Sequence, residues 1–242
     1  MIRDYLNQKD YDKDELFKYY DEEYDKHICS DGSESKARKC FQLIYKPFDS
    51  LLDVGCGDAY FLKEFIKLSN PKRSVGTDIS KPLLKIAQKN NPKLNFYRVD
   101  SKNLPFKDKE FDTAVLGEIL EHVDDPIQVL KEAKRVAKKK IIITVPNEYE
   151  WDKDRGPFLP VEEVAKAQGL TVEEMAKRDN PAIEFYTKDN YRHLHHQRYY
   201  TKEMLKEHLE KAGIKNYKIG KLYTTGKDRG FAFFTCICQN FQ

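Results

Sequence analysis

The chain alternates between short runs suited to buried strands and amphipathic stretches of about ten residues. The strand-like runs lie at 51–54, 74–78, 95–99, 111–116 and 141–145. Between them, apolar residues recur at helical spacing, as in the stretch that begins at Phe61. Strands that alternate with helices of this length predict an α/β fold with a doubly wound, mostly parallel sheet.

The two ends of the chain and one internal stretch depart from this alternation. Apolar stripes predict helices at 12–28 and 33–46, ahead of the first strand, and short Ala- and Glu-rich helices at 161–168 and 171–178. A last helix begins at Thr201 and two strands close the sequence. We therefore expect four parts, which are an N-terminal helical lid (1–48), a core (49–147), an insertion that covers the substrate site (148–200) and the closing helix and hairpin of the core (201–242).

A glycine turn follows the first strand of the core. Gly55 and Gly57 come directly after Leu51–Val54, and a helix pattern begins near Tyr60. Glycines let the backbone approach a ligand closely, and the N–H groups of the following helix can bind its polar atoms. A dinucleotide-binding fingerprint would need a third glycine at position 60, where this chain has tyrosine. The turn therefore predicts a ligand other than a dinucleotide.

Acidic residues end the next two predicted strands. Asp78 lies 21 positions after Gly57, close to the spacing at which a carboxylate meets ribose hydroxyls. The third strand ends in Asp100–Ser101. Since ligands of open α/β sheets bind outside the carboxyl ends of the strands, we expect these residues to share one cleft with the glycine turn.

Five segments together resemble the class I S-adenosylmethionine-dependent methyltransferases, in the broad family that includes ubiquinone- and menaquinone-pathway enzymes. They are D-V-G-C-G-D-A, G-T-D-I-S, V-D-S-K-N-L-P-F, F-D-T-A-V and E-H-V-D-D-P, in the order and spacing of that family. The resemblance covers about 50–147. It implies a mostly parallel seven-stranded sheet that ends in an antiparallel hairpin, and S-adenosylmethionine as the cofactor.

The same resemblance implies a set of cofactor-binding residues. Gly55 and Gly57 would contact the methionine part, near Gly117, and Asp53 would order the turn. The nucleoside part would be held by Asp78 at the ribose, by Ile79, and by Asp100 and Ser101 at the adenine.

A second constellation, Gly117–His122, follows the fourth strand. Glu118 and Glu121 are three positions apart and His122 is adjacent, so one helical turn could aim all three side chains into the cleft. We expect these three residues to be catalytic. E-x-x-E-H also resembles the small-RNA 3′-terminal 2′-O-methyltransferases and the ubiquinone-pathway O-methyltransferases, in which it binds a divalent metal.

A metal site here would need a fourth ligand. Three of the six histidines lie within 193–196, and His196 fits this role slightly better than His195 by its distance from Thr201. Glu118, Glu121, His122 and His196 would suit Mg²⁺ or another divalent ion. Two alternatives stay open, namely a metal-free contact with substrate and a purely structural helix cap.

The composition limits the partners. The formal net charge is +3, and residues 147–200 carry eight Lys/Arg against eleven Asp/Glu, which disfavours a DNA reader. Five cysteines without C-x-x-C spacing indicate reduced thiols and a cytoplasmic protein, and no apolar run approaches a membrane span of ~20 residues.

We therefore expect methyl transfer from S-adenosylmethionine to a hydroxyl of a small molecule, with metal assistance as an option. The main alternative is 2′-O-methylation of an RNA 3′ end. An alternative of another class is a non-catalytic cofactor-binding or partner-activating subunit. The sequence leaves the acceptor and the oligomeric state undetermined.

Overall fold

The computed structural model describes residues 2–4, 48–147, 186–187, 190–191, 198, 200–223 and 232–239. The predicted helices at 12–28, 33–46, 161–168 and 171–178, and both His195 and His196, lie outside these residues. The strands are β1 (Ile2–Asp4), β2 (Ser50–Val54), β3 (Arg73–Asp78), β4 (Asn95–Arg98), β5 (Phe111–Gly117), β6 (Ala137–Pro146), β7 (Tyr186–Thr187), β8 (Asn190–Tyr191), β9 (Tyr217–Tyr223) and β10 (Ala232–Gln239). The helices are α1 (Tyr60–Ser69), α2 (Lys81–Asn90), α3 (Pro126–Val136) and α4 (Lys202–Lys211).

Eight strands form one sheet in the order β1-β4-β3-β2-β5-β6-β10-β9. All neighbours are parallel except β10, which runs antiparallel to both β6 and β9. The doubly wound, mostly parallel sheet is thus confirmed, with one strand more than the predicted seven. The additional strand is β1, which lies in the segment predicted as a helical lid and pairs with β4 through Ile2 and Phe96. The short strands β7 and β8 form a separate antiparallel pair within the predicted insertion.

Helices cover both faces of the sheet, because its central strands are apolar on both sides. On one face, α1 and α2 bury side chains such as Phe65 and Leu84. On the other face, α3 and α4 bury side chains such as Leu130 and Leu205. At ~25 cal/mol per Å² of buried apolar surface, these two layers are the main source of stability. None of the described helices is long and apolar enough to cross a membrane.

The helix boundaries follow local capping chemistry. The hydroxyl of Ser80 accepts a hydrogen bond from the backbone N–H of Leu83 at 3.3 Å, and Thr201 caps α4 in the same way through Met204 at 3.1 Å. Gly213, at φ 73°, follows the end of α4. These caps confirm the starts and the stop predicted from the sequence.

Strand β6 begins four residues before its predicted start. Ala137 pairs with Phe111 of β5, and Lys140 pairs with both β5 and β10. Between them, Lys139 lies 2.9 Å from the carboxylate of Asp112. The apolar pattern of the sequence predicts a shorter strand, and pairing with the neighbouring strands therefore extends β6 toward its N-terminus.

The order of the strands places a switch point between β2 and β5. From β2 the chain continues through β3 to β4 on one side, and from β5 to β6 on the other. The crevice outside the carboxyl ends of strands at such a point is where open α/β sheets bind ligands. The glycine turn and Gly117–His122 both lie there.

Candidate functional site

The glycine turn joins β2 to α1 and is bound by the end of β3. The backbone N–H groups of Gly55 and Cys56 both donate to the carbonyl oxygen of Thr77 at 2.8 Å. Gly55 and Gly57 have φ values of 73° and 52°, a region that glycine adopts without steric cost. Strand β3 therefore fixes the shape of the turn.

Asp78 connects this turn to the next loop. Its Oδ2 accepts from the backbone N–H of Gly57 and its Oδ1 from that of Ser80, both at 2.8 Å. Each carboxylate oxygen can accept a second hydrogen bond, so the side chain still suits a ribose diol. A Cβ built on Gly57 would meet its nearest atom, Leu83 Cδ1, only at 3.9 Å, so space lies beside the turn.

The ends of β3 and β4 are bonded to each other. The N–H of Val99 donates to the carbonyl oxygen of Asp78 at 3.0 Å, which brings Asp100–Ser101 next to the ribose position. The buried Arg98 donates from Nε to the carbonyl oxygen of Ile79 at 2.9 Å. The structure thus brings together the residues predicted to hold the nucleoside.

Asp53 is a buried acid directly before the turn. Its side chain is 2% exposed, and its Oδ2 has no hydrogen-bond partner within the described part of the chain. Burial, and secondly the charge of Asp78, raise the pKa of Asp53 to about 8. Asp53 is buried and the neighbouring Asp78 is half-buried, and two acids this close together favour a cationic ligand.

The segment after β5 packs directly on the glycine turn. The Cδ1 of Ile119 lies 2.6 Å from the position that a Cβ on Gly55 would take. A Cβ on Gly117 would likewise lie 3.3 Å from the ring of Phe61 on α1. Gly55 and Gly117 are therefore contact points between the predicted cofactor loop and the predicted catalytic segment.

Glu118–His122 forms a bend and a turn rather than the expected helical turn. Glu118 has φ 56°, its N–H donates to the carbonyl oxygen of Thr144 at 3.0 Å, and the N–H of His122 donates to that of Ile119 at 3.0 Å. Glu121 is 1% exposed, while Glu118 and His122 are half-buried. The next helix, α3, begins only at Pro126.

The described residues do not form a metal centre. Within them, no group of three or more His, Cys, Asp or Glu side chains is arranged to hold a metal ion. Glu118, Glu121 and His122 therefore do not fit a metal by themselves. His196, the predicted fourth ligand, lies outside the described residues.

Two residues near the turn were not predicted to have a role. Arg198 binds the carbonyl oxygen of Leu120, and its position three residues before the predicted helix start at Thr201 was the available sequence signal. Asn147, directly after β6, is 2% exposed, and its Nδ2 has no acceptor among the described residues. For Asn147, the sequence offered only one indication of a role, namely that a polar residue directly follows the predicted strand 141–145 and Pro146.

Comparisons with known proteins agree with this geometry. Residues 52–144 match the family model described as a methyltransferase domain. An uncharacterised protein of Methanocaldococcus jannaschii is 37% identical over 134 residues, which are 54% of this chain and 60% of that protein. The demethylmenaquinone methyltransferase of Lactobacillus johnsonii is 28% identical over 92% of this chain and 93% of its own length. The chain thus spans about 60% of the length of the archaeal relative.

Solved structures share the fold. The Haloferax volcanii protein solved with the Trm112 methyltransferase activator has a TM-score of 0.60 at 15% identity, over 94% of this chain and 98% of its own. A Thermotoga maritima protein described as a possible histamine N-methyltransferase has a TM-score of 0.52 at 21% identity, over 86% and 88%.

The mostly parallel sheet with helices on both faces is the fold that this chain shares with these solved structures. Residues 52–144, the part of this chain that is similar to a methyltransferase domain, contain the glycine turn, Asp78, Asp100 and the segment after β5.

Proposed function

We propose that this protein is a methyltransferase that transfers the methyl group of S-adenosylmethionine to a hydroxyl oxygen of a small molecule. The observation that carries the proposal is the packing of Ile119 on Gly55. It brings the segment that carries Glu118, Glu121 and His122, whose side chains can accept a proton, next to the loop expected to hold the cofactor.

The residues around the turn fit this cofactor. The bare backbone of Gly55–Gly57 would receive the methionine part, and Asp78 would accept hydrogen bonds from the ribose hydroxyls. Asp100–Ser101 and Ile79 would contact the adenine. The Oδ2 of Asp53, which accepts no hydrogen bond from the residues that the structure describes, would face a cationic ligand. When bound, S-adenosylmethionine supplies an electrophilic methyl carbon on a sulfonium, which a nucleophile displaces in line.

The acceptor would be oriented by the turn after β5. A hydroxyl must lose its proton as its oxygen attacks the methyl carbon, so a nearby base assists. Glu118, Glu121 and His122 are the candidates, and the amide of Asn147 could donate to a second oxygen of the acceptor. Holding both reactants in line supplies much of the rate enhancement in such a displacement.

Relatives support a small acceptor. The L. johnsonii relative is named for demethylmenaquinone, and the T. maritima neighbour for histamine. The acidic excess of residues 147–200 disfavours a phosphate-rich partner. An RNA 3′ end therefore remains the second choice.

Our proposal uses no metal. Because the described residues form no metal-holding group, we expect methyl transfer to persist within about twofold in excess chelator. Loss of transfer in chelator, restored by added Mg²⁺, would instead support a site completed by His196.

The test follows labelled methyl transfer to catechol, as a probe with vicinal hydroxyls, and to a short RNA with a free 3′ end. We expect labelled catechol and unlabelled RNA. Glu121→Gln should lower the rate roughly 100-fold, as expected for loss of a general base, while cofactor affinity stays within about threefold. Glu110→Gln is the matched control, because Glu110 bonds Arg73 at the opposite end of the sheet.

Two outcomes would overturn the proposal. Labelled RNA with unlabelled catechol would favour the RNA alternative. Equal rates for wild type and Glu121→Gln would remove Glu121 from the reaction.

A further inference from the structure

Arg198 is a buried arginine whose guanidinium binds the backbone of the turn after β5. Its Nη1 donates to the carbonyl oxygen of Leu120 at 2.7 Å and also to that of Val123. Its Nη2 donates to the carbonyl oxygen of Asp124 at 3.1 Å. The residue is 5% exposed. One planar, rigid group therefore holds three carbonyl groups of a five-residue stretch.

The turn depends on contacts from outside itself. Leu120 is fully buried, so its carbonyl group needs a partner in the protein. Glu118 adopts a left-handed conformation, which costs free energy for a residue with a side chain. Such a conformation persists only where surrounding contacts fix the backbone, and Arg198 supplies three side-chain hydrogen bonds to this stretch of backbone.

Arg198 also brings positive charge to an acidic place. Burial lowers the pKa of the guanidinium, and the charges of Glu121 and Asp124 are among those that oppose this shift. The cation thus lies within electrostatic range of the buried carboxylate of Glu121. A buried guanidinium is costly unless its donors are used, and here they are used on one turn.

The stretch of chain that carries Arg198 is itself well packed. Tyr200, two residues on, is fully buried, and its hydroxyl lies 3.1 Å from Nδ1 of His208 on α4. Thr201 caps the same helix, and α4 packs with α3 on one face of the sheet. The guanidinium therefore connects the turn to a rigid part of the fold.

We propose that Arg198 is a positioning residue, which holds residues 120–124 so that Glu118 and Glu121 keep their place against the glycine turn. This inference rests on the proposed function of that turn. Lysine could not replace it, because an ammonium group lacks the planar fork that reaches three carbonyl oxygens.

The test measures amide hydrogen exchange of the cofactor-free protein for wild type, Arg198→Lys and Arg198→Met. We expect exchange in residues 118–124 to accelerate at least tenfold in both variants, while β5 and α4 keep their protection. Arg135→Lys is the matched control, since Arg135 binds the carbonyl oxygens of Leu104 and Phe106 at 2.9 and 2.6 Å on another loop. Its effect should be confined to that loop.

Catalysis gives the second readout, with the acceptor used above. Arg198→Lys should lower kcat at least tenfold and leave the dissociation constant of S-adenosylmethionine within about threefold. Thermal unfolding checks that Arg198→Lys is folded. If Arg198→Met fails to fold, Arg198→Lys still provides the test.

Unchanged exchange at 118–124 in both variants would overturn the proposal, as would faster exchange with an unchanged kcat. A wrong assignment of the function would give a different set of results. In that case the wild type labels no hydroxyl acceptor, yet the exchange data still decide whether Arg198 holds the turn.

Discussion

Replacing Asp53 by asparagine should stabilise the cofactor-free protein increasingly as the pH rises. The substitution keeps the shape of the side chain and removes its titration. Burial, followed by the charge of Asp78, raises the pKa of Asp53 from 3.8 to about 8 in the folded protein. In the unfolded chain the carboxyl group returns to its ordinary pKa.

The sign follows from proton binding. Between pH 4 and 8 the folded wild type binds more protons at Asp53 than the unfolded chain does, so its free energy of unfolding falls as the pH rises. One pKa unit corresponds to about 1.36 kcal/mol, which sets an upper limit of roughly 4 kcal/mol between pH 5 and 8. Because water and side chains adjust around a buried charge, we expect about 2 kcal/mol or more.

The assay is chemical denaturation of wild type and Asp53→Asn at pH 5, 6.5 and 8. The asparagine itself adds an offset that does not change with pH, and carboxylates with lowered pKa, such as Asp112 and Glu132, are present in both proteins. The widening of the stability difference therefore reports the titration of Asp53, together with its electrostatic coupling to Asp78. Asp49→Asn is the control, because Asp49 is exposed and its ion pair with Lys72 contributes little. A difference for Asp53→Asn that stays constant across this range would refute the reasoning.

Three further outcomes are expected. Asp78→Ala should weaken S-adenosylmethionine binding roughly 10- to 100-fold in a calorimetric titration, from loss of charge-assisted hydrogen bonds worth ~1.5–3 kcal/mol each. Gly55→Ala should lower the free energy of unfolding by roughly 2 kcal/mol or more, because its Cβ would lie 2.6 Å from Ile119 at positive φ. Gly57→Ala should cost only about 1–2 kcal/mol of stability, since its Cβ would make an ordinary contact with Leu83 at 3.9 Å, but should reduce cofactor affinity more than its stability cost implies. Equal effects of the two alanines on both quantities would show that the turn is structural alone.

The central sheet could be predicted because the sequence pattern of each strand and helix agrees with its place in the fold. Strand-like runs and amphipathic helices alternate from 51 to 145, and caps such as Ser80 and Thr201 mark helix starts in the sequence itself. β1 was missed because three residues carry no period, and its pairing with β4 is a contact between distant segments. The early start of β6 was missed because exposed lysines can occupy a strand whose neighbours supply the hydrogen bonds.

The candidate site was predictable where ligand chemistry fixes residue type. Gly55, Gly57, Asp78 and Asp100 follow from the need for bare backbone and for acceptors at strand ends, and the structure brings them together. The shape of Glu118–His122 was not predictable, since a spacing of three suits both a helix and a turn. The contacts of Arg198 lie 74 to 78 positions away in the chain, so only the folded structure reveals them.

A crystal structure with bound S-adenosylhomocysteine would test the central claim most directly. We predict that its ribose hydroxyls contact the carboxylate of Asp78, its homocysteine part lies on Gly55–Gly57, and its sulfur faces Gly117 and the turn after β5. A ligand bound elsewhere on the sheet, or one whose ribose lies away from Asp78, would contradict the account.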